Sequence, residues 1–194
     1  MRSLRKMINL AAALALSAAV AGCSGELTDN AAPVDLVATN TQNLNIIELN
    51  PIIAADDSDC DLDVGTIRLQ VIPKRADVDT VASQVRVTRY RVSYQRTDGG
   101  RLVPAPFVRS MDALIAVGNS ADVSDFLIVQ PDALSQAPFA ALLPQNGGRD
   151  PDTGRPFVKL DVIVELFGET LGGDNVYDAT RFSLDFCYGC GGCS

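Results

Sequence analysis

Four cysteines carry the clearest potential for chemistry in this chain. Cys187, Cys190 and Cys193 form a CxxCxxC pattern in the Gly-rich C-terminal segment, and Cys60 lies far upstream. Disulfide bonds would staple the chain, whereas four thiolates would suit zinc or an iron–sulfur cluster. A redox-active CxxC pair is a third interpretation, although no strand-to-helix junction is predicted that would lower a thiol pKa. Intermolecular disulfide bonding is the fourth.

Position along the predicted strands favours one pairing over the others. Cys60 precedes a predicted strand at 65–73, and Cys187 ends another at 176–187. If these are the second and seventh strands of a sandwich, their start and end lie at the same pole. We therefore predict that Cys60 pairs with Cys187 or Cys190. Such a bond closes a loop of more than 100 residues, which contributes roughly 4 kcal/mol in the loop-entropy model.

An acidic cluster at 56–63 is the next candidate. Asp57, Asp59 and Asp61 follow a DxDxD pattern that suits an oxygen-rich calcium site. An EF-hand would need glycine and glutamate where this chain has Leu62 and Arg68, so that motif is excluded. The other interpretation is a solvated acidic loop before a strand. We predict no firm metal site and no cofactor.

The composition argues against an enzyme. The chain has no histidine, which excludes Ser-His-Asp and Cys-His catalytic sets and HExxH zinc sites. It also has no GxGxxG or P-loop motif, and we assign no catalytic residue. Five arginines crowd one stretch and are predicted to lie on the solvent face of a hairpin or to pair with the acidic cluster or a partner. They are Arg86, Arg89, Arg91, Arg96 and Arg101.

The N-terminus carries the most specific motif. Residues 1–6 are basic, and residues 7–20 form an apolar run of about 14 residues, too short for a membrane-spanning helix. The run ends in Val20-Ala21-Gly22-Cys23, which resembles the lipobox of bacterial lipoproteins. The resemblance implies cleavage before Cys23 and attachment of diacylglycerol to its thiol. In that family, Ser24 rather than aspartate after the cysteine favours the outer membrane if the cell is Gram-negative.

Lipidation of Cys23 and cleavage before it would change both the number of free cysteines and the net charge of the remaining chain. Four cysteines are left, an even number that indicates two disulfides in an oxidising compartment. Cleavage removes three basic residues and no acidic one, so the net charge moves from −8 to −11. An acidic surface argues against nucleic acid as a partner. The membrane, through the lipid, and a protein of the cell envelope are the expected partners.

Short alternating segments bounded by turn residues predict the elements that position these groups. Predicted strands cover 43–49, 65–73, 84–96, 113–117, 123–130, 157–167 and 176–187. The inward face changes near Thr88-Arg89, which predicts a bulge there. Pro104 and Pro106 make 102–108 an edge strand or an extended loop. Residues 119–122 are predicted as a hairpin loop, and 131–143 as one or two helical turns.

The pattern predicts an all-β antiparallel sandwich of about seven strands, similar to immunoglobulin or fibronectin type III domains. The predicted organisation is a signal peptide at 1–22, a flexible tether at 23–42, the sandwich at 43–187 and a Cys/Gly-rich tail at 188–194. The predicted function is a lipid-anchored binding, adhesion or structural accessory module of the cell envelope. The alternative is a metal-binding or redox protein that uses Cys60, Cys187, Cys190 and Cys193.

Overall fold

The computed structural model describes residues 31–41, 46–49, 66–124 and 126–190, and these form two β-sheets. The strands are β1 (Val34–Asn40), β2 (Ile46–Glu48), β3 (Ile67–Pro73), β4 (Val85–Arg96), β5 (Phe107–Ile115), β6 (Ser120–Val123), β7 (Phe157–Thr170) and β8 (Asn175–Cys187). One sheet has the order β1-β3-β6 and the other β2-β8-β7-β4-β5. The predicted all-β sandwich is confirmed, with eight strands among the described residues rather than about seven; all strand pairs there are antiparallel, as predicted, except that β2 runs parallel to β8.

Alternating apolar residues build the core between the sheets. In β7, the residues at 158, 160, 162, 164 and 166 are fully buried, as the alternation predicts. In β3, Ile67, Leu69 and Val71 face them from the smaller sheet. Apolar side chains on one face of each sheet therefore meet across the sandwich, and the hydrophobic effect holds the layers together.

The three-stranded sheet covers only part of the larger one, and the segment at 126–146 covers the rest. This segment contains two short 3₁₀ helices, Pro131–Ser135 and Pro144–Asn146, and one helix, α1 (Phe139–Leu142). The rings of Tyr90 and Phe126 lie 4.5 Å apart, and those of Phe139 and Phe186 lie 5.1 Å apart. The Tyr94 hydroxyl donates to the Ile128 carbonyl at 2.6 Å.

The predicted bulge is confirmed. Pairing of β4 with both β5 and β7 shifts register between Val87 and Arg89. Val85 and Val87 are buried before the shift, and Tyr90 and Val92 after it. One extra residue in β4 thus returns the apolar side chains to the core face.

Several boundaries differ from the sequence prediction. Residues 34–40, assigned to the tether, form β1 and pair with β3. The predicted strand at 113–117 is the end of β5, which starts after the two prolines and lies at the edge of its sheet. The predicted hairpin loop at 119–122 contains the start of β6. Most of the predicted strand at 123–130 is irregular chain, although Phe126, Ile128 and Val129 are buried.

The hydrogen-bonded connections define two poles of the sandwich. Gly118 and Asn119, which follow β5, bond to Val71 near the end of β3. Val34 pairs with Pro73, and Val85 pairs with both Ile115 and Thr170. The chain therefore enters the domain at the pole where β3, β5 and β7 end and where β4 and β8 begin, here called the entry pole. The opposite end, where β4 and β8 end, is the far pole.

Candidate functional site

A buried ion network stands at the far pole. The Arg96 guanidinium donates to Asp98 through Nε and Nη2 at 2.7 and 2.9 Å, and to Asp150 through Nη2 at 2.8 Å. The side chains of Arg96, Asp98 and Asp150 are 3%, 0% and 0% exposed. Charges this deeply buried are tolerated only when paired and hydrogen-bonded. Arg96 was predicted to lie on the solvent face of a hairpin or to pair with the acidic cluster at 56–63 or with a partner, and the solvent-face alternative is wrong for this residue.

Backbone and hydroxyl donors complete the network. The Asp98 carboxylate accepts from the N–H groups of Gly100 at 3.1 Å and Lys159 at 3.0 Å. Asp150 accepts from the hydroxyl of Thr153 at 2.7 Å and from its N–H at 2.9 Å. Among the described residues, every buried side-chain polar atom has a partner.

These contacts set the protonation states. Burial by itself raises the pKa of the Asp98 carboxyl, but hydrogen bonds from Arg96 and two backbone N–H groups outweigh it and lower the pKa to about 2. For Asp150, burial is likewise outweighed by Arg96 and Thr153, and its pKa falls below the usual range. Burial lowers the pKa of Arg96, but the two carboxylates raise it more. All three groups are therefore charged at neutral pH.

The network holds two loops, 97–106 and 147–156, here called the far-pole loops. Arg96 Nη1 donates to the Leu102 carbonyl at 3.0 Å. The Asp152 carboxylate accepts from the N–H groups of Arg101 and Leu102 at 2.7 and 2.9 Å. Leu102 and Val103 nevertheless remain 41% and 40% exposed. Two apolar side chains are thus exposed to solvent on a loop whose backbone is held by hydrogen bonds to Arg96 and Asp152.

The cysteine tail also begins at the far pole. Cys187 and Cys190 form a disulfide with a Cα–Cα distance of 6.0 Å. The buried carboxylate of Glu48 accepts from the N–H groups of Gly189 and Cys190 at 2.6 and 2.7 Å. Leu49 donates its N–H to the Cys187 carbonyl at 2.8 Å. The short strand β2 and the CxxC turn therefore hold each other in place.

This disulfide differs from the predicted pairing of Cys60 with Cys187 or Cys190. The premise of that prediction is confirmed, since β3 begins and β8 ends at the far pole. The bond forms locally because three residues of separation already bring the two α-carbons to bonding distance. Joined to each other, the two sulfurs offer no thiolate to a metal. Cys60 and Cys193 lie outside the described residues.

The other predicted site residues also lie outside the described part of the chain. They are Cys23 and the weak calcium candidates Asp57, Asp59 and Asp61. Within the described ranges, no group of three or more cysteines and carboxylates is arranged to hold a metal ion. No helix in these ranges is long and apolar enough to cross a bilayer.

The remaining arginines mostly have local partners. Arg86 pairs with Asp112 at 2.7 Å on the outer face of the larger sheet. Arg91 pairs with Glu165 at 3.2 Å on the same face. Arg89 lies over the Phe167 ring at 5.0 Å, beside a shallow cavity of about 180 Å³ at the β4 bulge. A second cavity, of about 270 Å³, opens between β5 and β6 and is lined by Tyr90, Arg109 and Phe126 among others.

Sequence reasoning missed Glu48, Asp98, Asp150 and Asp152 as organising residues. Asp98 lies in the far-pole loop at 97–106, and Asp150 and Asp152 lie in the one at 147–156. Nothing in either segment indicates that Asp98 and Asp150 meet on one arginine. The nearest signal is the repeated combination of aspartate and glycine, which marks turns in general.

Comparison with known proteins returned no match: no protein-family model, no curated protein and no solved structure is detectably similar to this chain.

Proposed function

We propose that this protein is a lipid-anchored binding module of the bacterial cell envelope that contacts its partner through the far-pole loops. The anchor is argued from Val20-Ala21-Gly22-Cys23 after a basic and apolar leader. The contact surface is argued from one observation, the fixed presentation of Leu102 and Val103. Loops carried at one end of a β-sandwich scaffold are a common location for binding residues.

Preorganisation of the loop that carries Leu102 and Val103 lowers the free-energy cost of binding. A flexible loop loses conformational entropy when it binds, and a loop that is already ordered avoids that cost. Arg96 and Asp152 bond directly to the backbone at 101–102. Exposed apolar side chains on such a loop can serve as anchors at the centre of an interface. An envelope protein with an apolar pocket is the partner class that fits.

A photo-crosslinking experiment tests the binding role. A photoreactive amino acid replaces Val103 in the full chain, expressed in its native cells, and the same group at Val108 is the control. Val108 is 57% exposed on the outer face of the larger sheet. We expect one discrete crosslinked species from position 103 that is absent from position 108 and lost in Leu102→Asp. Absence of a discrete species at position 103 would contradict the proposal.

The anchor has its own test. Mass spectrometry of the mature protein should show cleavage before Cys23 and an added diacylglyceryl group. Cys23→Ser should abolish both the added diacylglyceryl mass and the cleavage before residue 23. A mature wild-type protein that carries no lipid would contradict the anchor.

A further inference from the structure

The N-terminal start of the domain lies at the same pole as two loops that each carry an exposed apolar side chain. Lys74 donates its N–H to the Pro33 carbonyl at 3.0 Å, so the N-terminal segment joins the domain beside the end of β3. The loop at 74–84 and the turn at 171–174 occupy the same entry pole. Leu171 donates to the Gln84 carbonyl at 2.9 Å and Gly172 to the Ala82 carbonyl at 2.7 Å. The two loops therefore form one continuous surface.

That surface carries large apolar side chains in solvent. Val81 is 66% exposed and Leu171 is 53% exposed. Val81 lies in a loop that Asp79 stabilises, because the Asp79 carboxylate accepts from the N–H groups of Val81 and Ala82 at 2.9 and 3.1 Å. The most exposed large apolar side chain among the described residues is thus held at the pole where the chain enters.

Charge at this pole is largely paired. Lys74 lies 3.4 Å from Asp35, and Arg75 lies 3.6 Å from Asp77. Among the described residues of this pole, these pairs leave no unopposed basic patch to attract anionic lipid headgroups. A contact with a bilayer would therefore depend on apolar burial and would be nearly independent of salt.

The length of chain before the domain limits how far this pole can lie from a lipid on Cys23. Eight residues lie between Cys23 and Ala32, the first buried core residue in the described part of the chain, and this connection spans at most about 30 Å. A short connection of this kind keeps the pole at high effective concentration near the surface, so that even a small apolar contact forms.

We propose that Val81 and Leu171 insert into the interface of the bilayer that carries the lipid on Cys23, so that the entry pole rests on the membrane. The inference rests on the proposed lipid anchor. It also fixes the orientation of the domain. β7 has 14 residues and spans about 45 Å, which places the far-pole loops roughly that much farther from the bilayer. The surface proposed for a partner would then face away from the membrane.

The absence of tryptophan from the chain provides a clean probe. Val81→Trp and, as a control, Leu102→Trp each introduce a single indole at an exposed position, one at each pole. The lipidated full-length variants are reconstituted into phosphatidylcholine vesicles with and without nitroxide-labelled lipids. We expect Val81→Trp emission to shift to shorter wavelength and to be quenched by the labelled lipids, with little change on adding salt. Leu102→Trp should show neither effect.

The outcomes separate the two proposals. If the protein floats with the vesicles but Val81→Trp emission stays at its value in water, the membrane contact is wrong and the anchor stands. If the mature protein carries no lipid and does not float, both proposals fail. Equal quenching of the two tryptophans would also overturn the contact, because it would mean that the entry pole is not the part that faces the bilayer.

Discussion

Replacement of Asp98 by asparagine should destabilise the domain strongly. The pKa of the Asp98 carboxyl is about 2 in the folded protein, against a reference value of 3.8. This difference corresponds to roughly 2–3 kcal/mol of stability at neutral pH. An asparagine would also turn an NH₂ group toward donors such as Arg96 and the Lys159 N–H. We therefore expect Asp98→Asn to lower the free energy of unfolding by about 2–4 kcal/mol.

The pH dependence of this loss follows from the direction of the pKa shift. The folded-state pKa is depressed, so the contribution of Asp98 is fully present above the unfolded pKa of 3.8. It declines as the pH falls through that value toward 2, where the carboxylate of the folded protein is protonated. The difference in stability between wild type and Asp98→Asn should therefore be constant from pH 7 to 5 and shrink between pH 4 and 2.

Urea unfolding followed by far-UV circular dichroism measures both effects. Asp112→Asn is the matched control, because the Asp112 carboxylate also accepts hydrogen bonds from Nε and Nη2 of an arginine, Arg86, at 2.7 and 2.8 Å. The side chains of that pair are 53% and 64% exposed, so the control should lose only a small part of what Asp98→Asn loses. Equal losses in the two variants, or a loss at Asp98 that does not change with pH, would refute the account of the buried network.

Two further predictions concern packing and the disulfide. Gly168→Ala should lower the free energy of unfolding by about 1–3 kcal/mol, because the new Cβ would overlap the Arg86 carbonyl oxygen. Gly172→Ala is the control and should lower it less, since its Cβ would meet no atom closer than 3.4 Å, and equal urea midpoints for the two variants would contradict this prediction. The double variant Cys187→Ser/Cys190→Ser should lower the free energy of unfolding by about 2 kcal/mol, the loop-entropy value for so short a loop, and an unchanged urea midpoint would show that the Glu48 contacts alone hold the turn.

Much of the fold was predictable because strand formation leaves a local signature. The alternation at 157–167 identified β7 and its buried face, and the change of face near Thr88 identified the bulge. Pro104 and Pro106 indicated an edge strand or an extended loop at 102–108, and the edge strand β5 begins at Phe107, although the sequence prediction began that strand at 113. These features depend on residues that are neighbours in the chain, so the pattern reports them directly.

The sequence predictions were wrong where residues far apart in the chain determine the secondary structure. Residues 34–40 were assigned to the tether, yet they form β1, for which β3 supplies the hydrogen-bonding partner. Residues 123–130 were predicted as a strand, yet Phe126, Ile128 and Val129 are buried outside the strands of both sheets, and Tyr90 and Tyr94 donate to the carbonyls of Leu127 and Ile128. In both cases the structure depends on residues that are distant in the chain.

The sequence by itself determined the class of fold, the absence of any histidine-dependent chemistry and the resemblance of Val20–Cys23 to a lipobox. Only the tertiary structure decided which groups meet. Arg96 and Asp150 are separated by 54 residues, and their contact depends on how β4, β7 and their loops come together at one pole. Cys187 pairs with Cys190 although Cys60 was the expected partner. Residue types specify which interactions are possible, and long-range strand pairing specifies which of them form.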